Sequence, residues 1–403
     1  MPIVLAFNPG SNSLKFDIVD AQKGQSCAGN GKKLFTGAID NIGKETTAEL
    51  SRIAGSSPQQ IVSKKIDCKD FVQATEAIYQ LLADPAVKNS APAIELNAIR
   101  VVHGGDDFTC AVRYDDQVRA KIERRQKLAP LHNANSLRIA EGAEKHAPGI
   151  PIAVAFDTAF HHTIPEYAWR YPLPRDLTDK HGIRKFGFHG ISHRYMLERY
   201  AQLAKRPVGE VSAVTLHLES GSSAAAIQNG KSVDTSMGFT PLEGLMMGTR
   251  SGSIDPAILP FLMEEEKLSA ADALNILEKK SGLLGVSGIT LDTRILRKRS
   301  EPAAKQAIDI FAYKVRQWVG AYLAVLGKAE VVVFGGGIGE NTPEVRNNVL
   351  EGLQGWGFAV DTVANGKITG GDARISDPSS SLAAWVIHSE EGMQIAHECV
   401  QAM

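Results

Sequence analysis

The sequence predicts an α/β protein built from two halves that share one topology, and three observations carry this. Short apolar runs bounded by turn or polar residues alternate with stretches of helical period, the pattern of strands and helices in turn. The chain has 403 residues, more than one ordinary domain accommodates. Residues 4–19, VLAFNPGSNSLKFDIV, and residues 215–228, TLHLESGSSAAAIQ, both read as strand, Gly-Ser loop, strand, roughly 210 residues apart. Gly10-Ser11 aligns with Gly221-Ser222 in that comparison. The competing reading is coincidence, because Gly-Ser hairpin loops are common.

Residues 2–8 and 14–20 predict two strands joined by the small-residue loop Pro9-Gly10-Ser11-Asn12-Ser13. A helical period covers 70–84, with Phe71, Ala74, Ile78, Leu81 and Leu82 on one face. Residues 98–102 predict a strand running into His103-Gly104-Gly105. Further helices are predicted over 133–146, 192–205, 255–266, 269–281 and 301–327, and buried strands over 151–156, 211–218, 330–334 and 383–388. Beyond the strand at 330–334, Gly335-Gly336-Gly337-Ile338-Gly339-Glu340-Asn341 predicts a flexible loop. A helix then starts, with Thr342 as N-cap, Pro343 in the first helical position and Glu344 in the first turn.

Composition narrows the function. The 44 basic and 45 acidic residues give a formal net charge of -1, which argues against a general binder of nucleic acid or of membrane surfaces. A hydrophobic fraction of 43% with 22% charged residues suits a soluble globular protein. Cys27, Cys68, Cys110 and Cys399 form no C-x-x-C, so neither a cysteine metal site nor a disulfide framework is expected, and a reducing cytosol fits. The apolar N-terminal stretch is too short for a signal peptide and no basic residue precedes it. No apolar run approaches the ~20 residues that span a bilayer. The expectation is a cytoplasmic protein with no membrane and no nucleic-acid partner.

The glycine-rich segments suggest phosphate chemistry. Glycine lets backbone approach a ligand closely, and successive N–H groups form an anion nest. Lys15, just after the first loop, can point back at a phosphate or can be an ordinary solvated strand lysine. No Walker A motif occurs. Strand, glycine run and helix start over 331–344 form an arrangement that binds nucleotides, although Glu340 stands where G-x-G-x-x-G needs its last glycine. A plain strand-to-helix turn is the alternative there. Arg100, His132, Asp157, His189 and Arg250 lie mostly at strand ends or in glycine-containing loops, where α/β sites collect. Taken singly, each also suits a structural hydrogen-bonding role. His161-His162, and His189 with His193, have ligand-like spacings, but Gly190 occupies the place of the glutamate in H-E-x-x-H, which argues against zinc.

In order along nearly the whole chain, these segments resemble the acetate kinase family, within the acetate and sugar kinase, Hsp70 and actin superfamily. The matching stretches are Asn8-Pro9-Gly10-Ser11, Arg100-Val101-Val102-His103-Gly104-Gly105, Pro130-Leu131-His132-Asn133, Phe156-Asp157-Thr158-Ala159-Phe160-His161 and Gly187-Phe188-His189-Gly190. They continue with residues 235–244 (TSMGFTPLEG), Gly248-Thr249-Arg250-Ser251-Gly252, Gly336-Gly337-Ile338-Gly339-Glu340-Asn341 and Glu390-Glu391. The resemblance implies two duplicated actin-like, ribonuclease H-like domains with an active-site cleft between them. It assigns 1–155 plus a returning helix at 389–403 to the first domain. It assigns 156–388 to the second, with the nucleotide side and a homodimer interface. The implied activity is reversible phosphoryl transfer from ATP to acetate by direct in-line displacement, giving acetyl phosphate and ADP.

Residue by residue, the resemblance places Mg2+ (with Mn2+ as the alternative) at Asn8 and Glu390. Nucleotide falls to Lys15, the run His217, Leu218, Glu219, Ser220 and Gly221, the run Asp292, Thr293 and Arg294, and the run Gly336, Gly337, Ile338, Gly339, Glu340 and Asn341. Arg100 is the carboxylate binder, and His189 and Arg250 are transition-state stabilisers. His132 and Asp157 complete the catalytic set, Asp157 as an orienting group. Val102, Leu131, Phe188 and Pro241 line the acyl pocket. Acetate, with a carboxyl pKa near ~4–5, is already an anion at neutral pH, so catalysis rests on positioning and charge neutralisation rather than on a base. Several positions depart from the family pattern: Asn12, Ile99, Glu219, Ser220, Ser253 and Ser389. Most lie on the donor side. They keep open a propionate kinase, a relative using another donor such as pyrophosphate, and a non-catalytic sensor of nucleotide or acyl phosphate.

Overall fold

The computed structural model describes residues 2–21, 31–54, 57–88, 91–126, 129–368 and 371–403. Its first sheet contains β1 (Ile3–Pro9), β2 (Leu14–Ala21), β3 (Gly31–Asp40), β4 (Thr46–Ala54), β5 (Ser57–Ile66), β6 (Leu96–Val101), β7 (Val112–Arg113) and β8 (Ile152–Phe156). Its second contains β9 (Ala213–Leu218), β10 (Ser222–Gln228), β11 (Lys231–Thr235), β12 (Val331–Gly335), β13 (Ala373–Arg374) and β14 (Ala383–Val386). The strand orders are β5-β4-β3-β2-β1-β6-β8-β7 and β11-β10-β9-β12-β14-β13.

One arrangement therefore occurs twice. An antiparallel run, β3-β2-β1 or β11-β10-β9, continues into parallel strands, β1-β6-β8 or β9-β12-β14. This is the repeat that the two Gly-Ser hairpins suggested. The glycines sit differently within it. Gly10 opens its loop and its N–H donates to Ser13 O at 2.8 Å, whereas Gly221 closes a shorter loop, with Leu218 paired directly to Ser222.

Contacts divide the chain into two compact units. The first comprises Met1–His162, Gly190–Glu198 and Glu390–Met403; the second comprises Thr163–His189 and Arg199–Ser389. In the first unit the strand alternation sorts side chains to two faces. Leu5, Phe7, Phe16, Ile99, Val101, Val154 and Phe156 pack with Phe71, Ala74, Ile78 and Leu81 of one helix and Ile139, Ala140 and Ala143 of another. Val4, Ala6, Ala98, Ala153 and Ala155 face the returning helix Glu391–Gln401 through Ile395, Ala396, Cys399 and Val400. The second unit centres on the 25-residue helix Pro302–Leu326. Its stripe Ala304, Ala307, Phe311, Val315, Val319 and Tyr322 packs with Leu216, Leu218, Ala224, Val332 and Phe334.

Three local expectations differ from what is seen. The glycine run expected as a flexible loop is a six-residue helix, Gly336–Asn341. Thr342 does stand at the N-cap of the next helix, Pro343–Leu350, but its side chain makes no capping bond and lies 3.4 Å from the Thr293 hydroxyl instead. The helix expected from 133 begins at Pro130, which places His132 in its first turn. Cys68, Cys110 and Cys399 are free thiols, and Cys27 lies outside the described residues. Among the described residues no helix is long and apolar enough to cross a membrane.

Candidate active site

In the first unit, polar side chains follow the apolar rows of three adjacent parallel strands. Val4 and Ala6 lead to Asn8, Ala98 leads to Arg100, and Ala153 and Ala155 lead to Asp157 just past β8. These are the carboxyl ends of parallel strands, where ligands bind in α/β sheets. The strands bring the three side chains into contact. Arg100 Nε donates to Asp157 Oδ1 at 2.9 Å, Nη2 donates to Oδ2, and Nη1 donates to Asn8 Oδ1 at 2.7 Å. The Asp157 side chain is 1% exposed and that of Arg100 13%. A planar guanidinium gripped through two donors has a fixed orientation.

The helix Pro130–His146 is pinned beside this pair. Asn133 donates to His103 O at 2.9 Å and accepts the His103 N–H at 3.1 Å, while the Ser136 hydroxyl donates to Arg100 O at 2.8 Å. That fixes the first turn, which carries exposed Leu131 and half-buried His132. Burial pushes His103 down to about 4, so its ring is neutral and Nδ1 accepts the Gly105 N–H at 3.0 Å. Val102 is buried at the end of β6, and Lys15 is exposed opposite Asn8.

The metal-side pair expected from the resemblance is divided between two contacts. Asn8 Nδ2 donates to Glu391 Oε2 at 2.6 Å, whereas Glu390 is ion-paired with Lys33. The donors here are all oxygens, from Asn8, Asp17, Glu390 and Glu391, with no imidazole or thiolate among them. That set suits a hard cation such as Mg2+, which keeps several waters and takes few protein ligands. Among the described residues no group of three or more His, Cys, Asp or Glu could hold a metal ion by itself.

In the second unit, His189 stands immediately before the helix Gly190–Ala204 with φ 59°, a left-handed conformation that a non-glycine residue seldom adopts. Its Nδ1 lies 2.9 Å from Ser223 Oγ and its ring packs 4.3 Å from that of His217. Gly221 sits beside both expected stabilisers: a side chain there would begin 3.4 Å from His189 Nε2 and 3.6 Å from Arg250 Nη1. Arg250 Nη1 donates to Pro241 O at 3.1 Å. Burial lowers the Arg250 pKa, opposed by the Glu278 charge. Phe188 is buried in this unit.

The glycine elements of this unit pack on one another. Gly336 has φ 74°, and a side chain there would strike Leu218 O at 2.8 Å, so only glycine lets the strand-to-helix turn lie on the 218–221 loop. Asn341 Nδ2 donates to Gly337 O at 3.0 Å. Glu340 is turned into the unit, accepting the Ser389 N–H at 3.0 Å and meeting His388 Nδ1 at 2.6 Å. Asp292 accepts the Arg294 N–H at 2.8 Å and binds its guanidinium, and Thr293 is buried. That guanidinium holds the Asp292 carboxyl below its ordinary range. Glu219 Oε2 lies 3.7 Å from His217 Nε2, with the side chain 49% exposed.

Sequence reading missed several supports. Arg346, fully buried, donates Nη1 to the carbonyls of Gly339 and Glu340, both at 2.8 Å, and so ties off the glycine-rich helix. The Tyr171 hydroxyl donates to Glu243 and accepts the Phe239 N–H at 2.8 Å, which holds the loop whose Pro241 carbonyl receives Arg250. Glu243 lies within a stretch that had been singled out; Arg346 and Tyr171 carry no local signal.

The sheet order repeated in two units, with polar groups at the carboxyl ends of its parallel strands, defines the two-domain actin-like class of α/β proteins. Within that class the chain belongs to the acetate kinase family: it matches the Acetokinase family over residues 3–397. It is 41% identical over 401 residues to the acetate kinase of Thermoanaerobacter pseudethanolicus, covering 98% of this chain and 97% of that one. It is 42% identical over 400 residues to the acetate kinase of Methanosarcina thermophila, covering 98% and 95%. Among solved structures, Porphyromonas gingivalis acetate kinase superposes with a TM-score of 0.89 at 36% identity, covering 100% of both chains. A propionate kinase from Francisella tularensis reaches the same TM-score at 33% identity, again with 100% coverage of both.

Proposed function

We propose that this chain is an acetate kinase, a cytoplasmic homodimer that transfers the γ-phosphoryl group of ATP reversibly to acetate. The observation that carries the reading is the buried, two-point Arg100–Asp157 pair at the strand ends of the first unit, in a chain whose curated relatives are acetate kinases. Acetate arrives as an anion, so Asp157 has no proton to remove; it orients Arg100, and Arg100 receives the carboxylate. A carboxylate oxygen attacks Pγ, the bond from Pγ to the bridging oxygen breaks, and ADP leaves with the electron pair. No proton moves. Charge spreads over the equatorial oxygens of the transferring group, and His189 and Arg250 stabilise it. Asn8 and Glu390 would hold Mg2+, which when bound neutralises phosphate charge. Lys15, the 217–221 loop, Asp292–Arg294 and the helix Gly336–Asn341 take the nucleotide, with Glu340 fixing that helix rather than touching ligand. Val102, Leu131, Phe188 and Pro241 line the acyl pocket. The homodimer reading draws on exposed Ile258, Phe261 and Leu274 on two packed helices of the second unit.

A hydroxamate assay for acyl phosphate tests this, run with acetate and propionate against ATP, other nucleotides and pyrophosphate. Product from acetate and ATP is expected to dominate; product from pyrophosphate alone, or none at all, rejects the reading. Val102→Ala should raise the propionate-to-acetate ratio of kcat/KM by up to ~100-fold, because one methylene is worth about 1–3 kcal/mol in such a pocket. An unchanged ratio removes Val102 from the acyl site.

A second donor is suggested by one feature, the carboxylate of Glu219 in a loop read as a phosphate nest. A carboxylate ~4 Å from a phosphate charge costs about 4 kcal/mol at an effective dielectric of ~20. In the structure this side chain lies toward His217 and solvent, so Glu219→Gly should change KM for ATP by less than about tenfold, under ~1.4 kcal/mol. A hundredfold fall in KM would mean that the carboxylate faces phosphate and that ATP is a poor fit to this loop.

A further inference from the structure

Lys33, on β3, belongs to none of the motifs discussed so far. It stands opposite Val19, where the β2–β3 register shifts at Ile18 and Val19. Its ammonium is ion-paired with Glu390 and lies 3.3 Å from Asp17 Oδ2. The three side chains are only 19%, 24% and 13% exposed, so the cluster is shielded rather than a loose surface contact. Asp17 is held in turn by the returning helix. A side chain at Gly392 would begin 2.0 Å from Asp17 Oδ2, so the carboxylate fills the space that glycine leaves in the first helical turn. Asp17 thereby anchors the ammonium, and the anchored ammonium reaches Glu390.

We propose that Lys33 is a built-in counter-cation that sets metal affinity, because a divalent ion must displace its ammonium from Glu390 in order to bind there. This rests on the reading of Asn8 and Glu390 as the metal side. An ammonium and a dication cannot both sit on one carboxylate oxygen at contact distance, since like charges repel strongly in a partly shielded site. In the metal-free protein Lys33 neutralises carboxylates that would otherwise repel one another. When metal enters, the ammonium falls back on Asp17, which keeps it nearby. The expected result is an attenuated affinity for free metal ion, leaving metal to enter with the substrate phosphates that complete its shell.

The test is Mn2+ titration of the full-length, nucleotide-free protein, followed by electron paramagnetic resonance. Lys33→Met should bind Mn2+ at least tenfold more tightly than wild type, and Lys33→Arg, which keeps the charge, should stay within about threefold. Lys33→Gln should show the same gain and serves if the methionine variant does not fold. Adding Glu390→Gln to Lys33→Met should abolish the gain. Unchanged or weaker Mn2+ binding in both neutral variants, including no detectable binding in any form, overturns the proposal. If Glu390→Gln alone leaves wild-type Mn2+ binding intact, the metal-side reading has failed. If it weakens binding while the neutral Lys33 variants gain nothing, only the role of Lys33 has failed.

Discussion

Arg250→Ala is expected to lower kcat by about 10³ or more while KM for acetate moves only a few fold. A guanidinium that stabilises a transferring phosphoryl group is worth ~10³–10⁵ in turnover, and an interaction made chiefly in the transition state lowers kcat without comparably raising KM. The geometry explains why this arginine can act without reorganising. Its Nη1 is fixed on Pro241 O, and that loop is held by Tyr171 through Glu243 and the Phe239 N–H. Gly221 leaves the approach beside Arg250 and His189 open. Arg250→Lys keeps a charge but not the planar fork, so it should recover only part of the loss. Steady-state kinetics in both directions of the reaction check this. Turnover near wild type in Arg250→Ala takes the residue out of the mechanism.

Asp157→Asn should have the second largest effect, lowering kcat/KM for acetate by about 10²–10³ with little change in KM for ATP. Both carboxylate oxygens of Asp157 receive Arg100. An amide offers one oxygen and turns an N–H₂ group against a guanidinium that has only donors. Removing one partner of a buried pair typically costs ~3–5 kcal/mol, which divides here between lost orientation of Arg100 and lost stability. The two shares can be separated. A lower melting temperature with normal acetate kinetics at low temperature would make the pair structural. A defect in acetate kinetics that persists in fully folded protein supports the orienting role.

What could be read from the sequence follows what each residue's role depends on. Arg100 and Asp157 stood out because each ends a short apolar run, and strand ends of parallel sheets are where ligands bind. Their mutual contact depends on β6 and β8 being neighbours, which no local pattern states. β3, β4 and β5 passed unnoticed, since runs such as Gly31–Asp40 mix lysines with apolar residues and bury only Phe35 and Ile39 fully. The glycine run at 336–341 read as a loop because glycine is a poor helix former. It is helical because Arg346, seven residues beyond Gly339, supplies donors to its carbonyls. Lys33 was invisible for the same kind of reason: its partners, Asp17 and Glu390, lie on β2 and at the start of a helix more than three hundred residues away.

The most direct measurement of the central claim follows oxygen. The enzyme is supplied with ATP and acetate labelled with ¹⁸O in both carboxylate positions, and the products are read by ³¹P NMR isotope shifts. Attack by the carboxylate on Pγ predicts acetyl phosphate with ¹⁸O in the bridge between carbon and phosphorus, and ADP without label. Absence of acetyl phosphate, or label appearing in ADP or in no phosphorus species, would contradict phosphoryl transfer to acetate as the reaction of this protein.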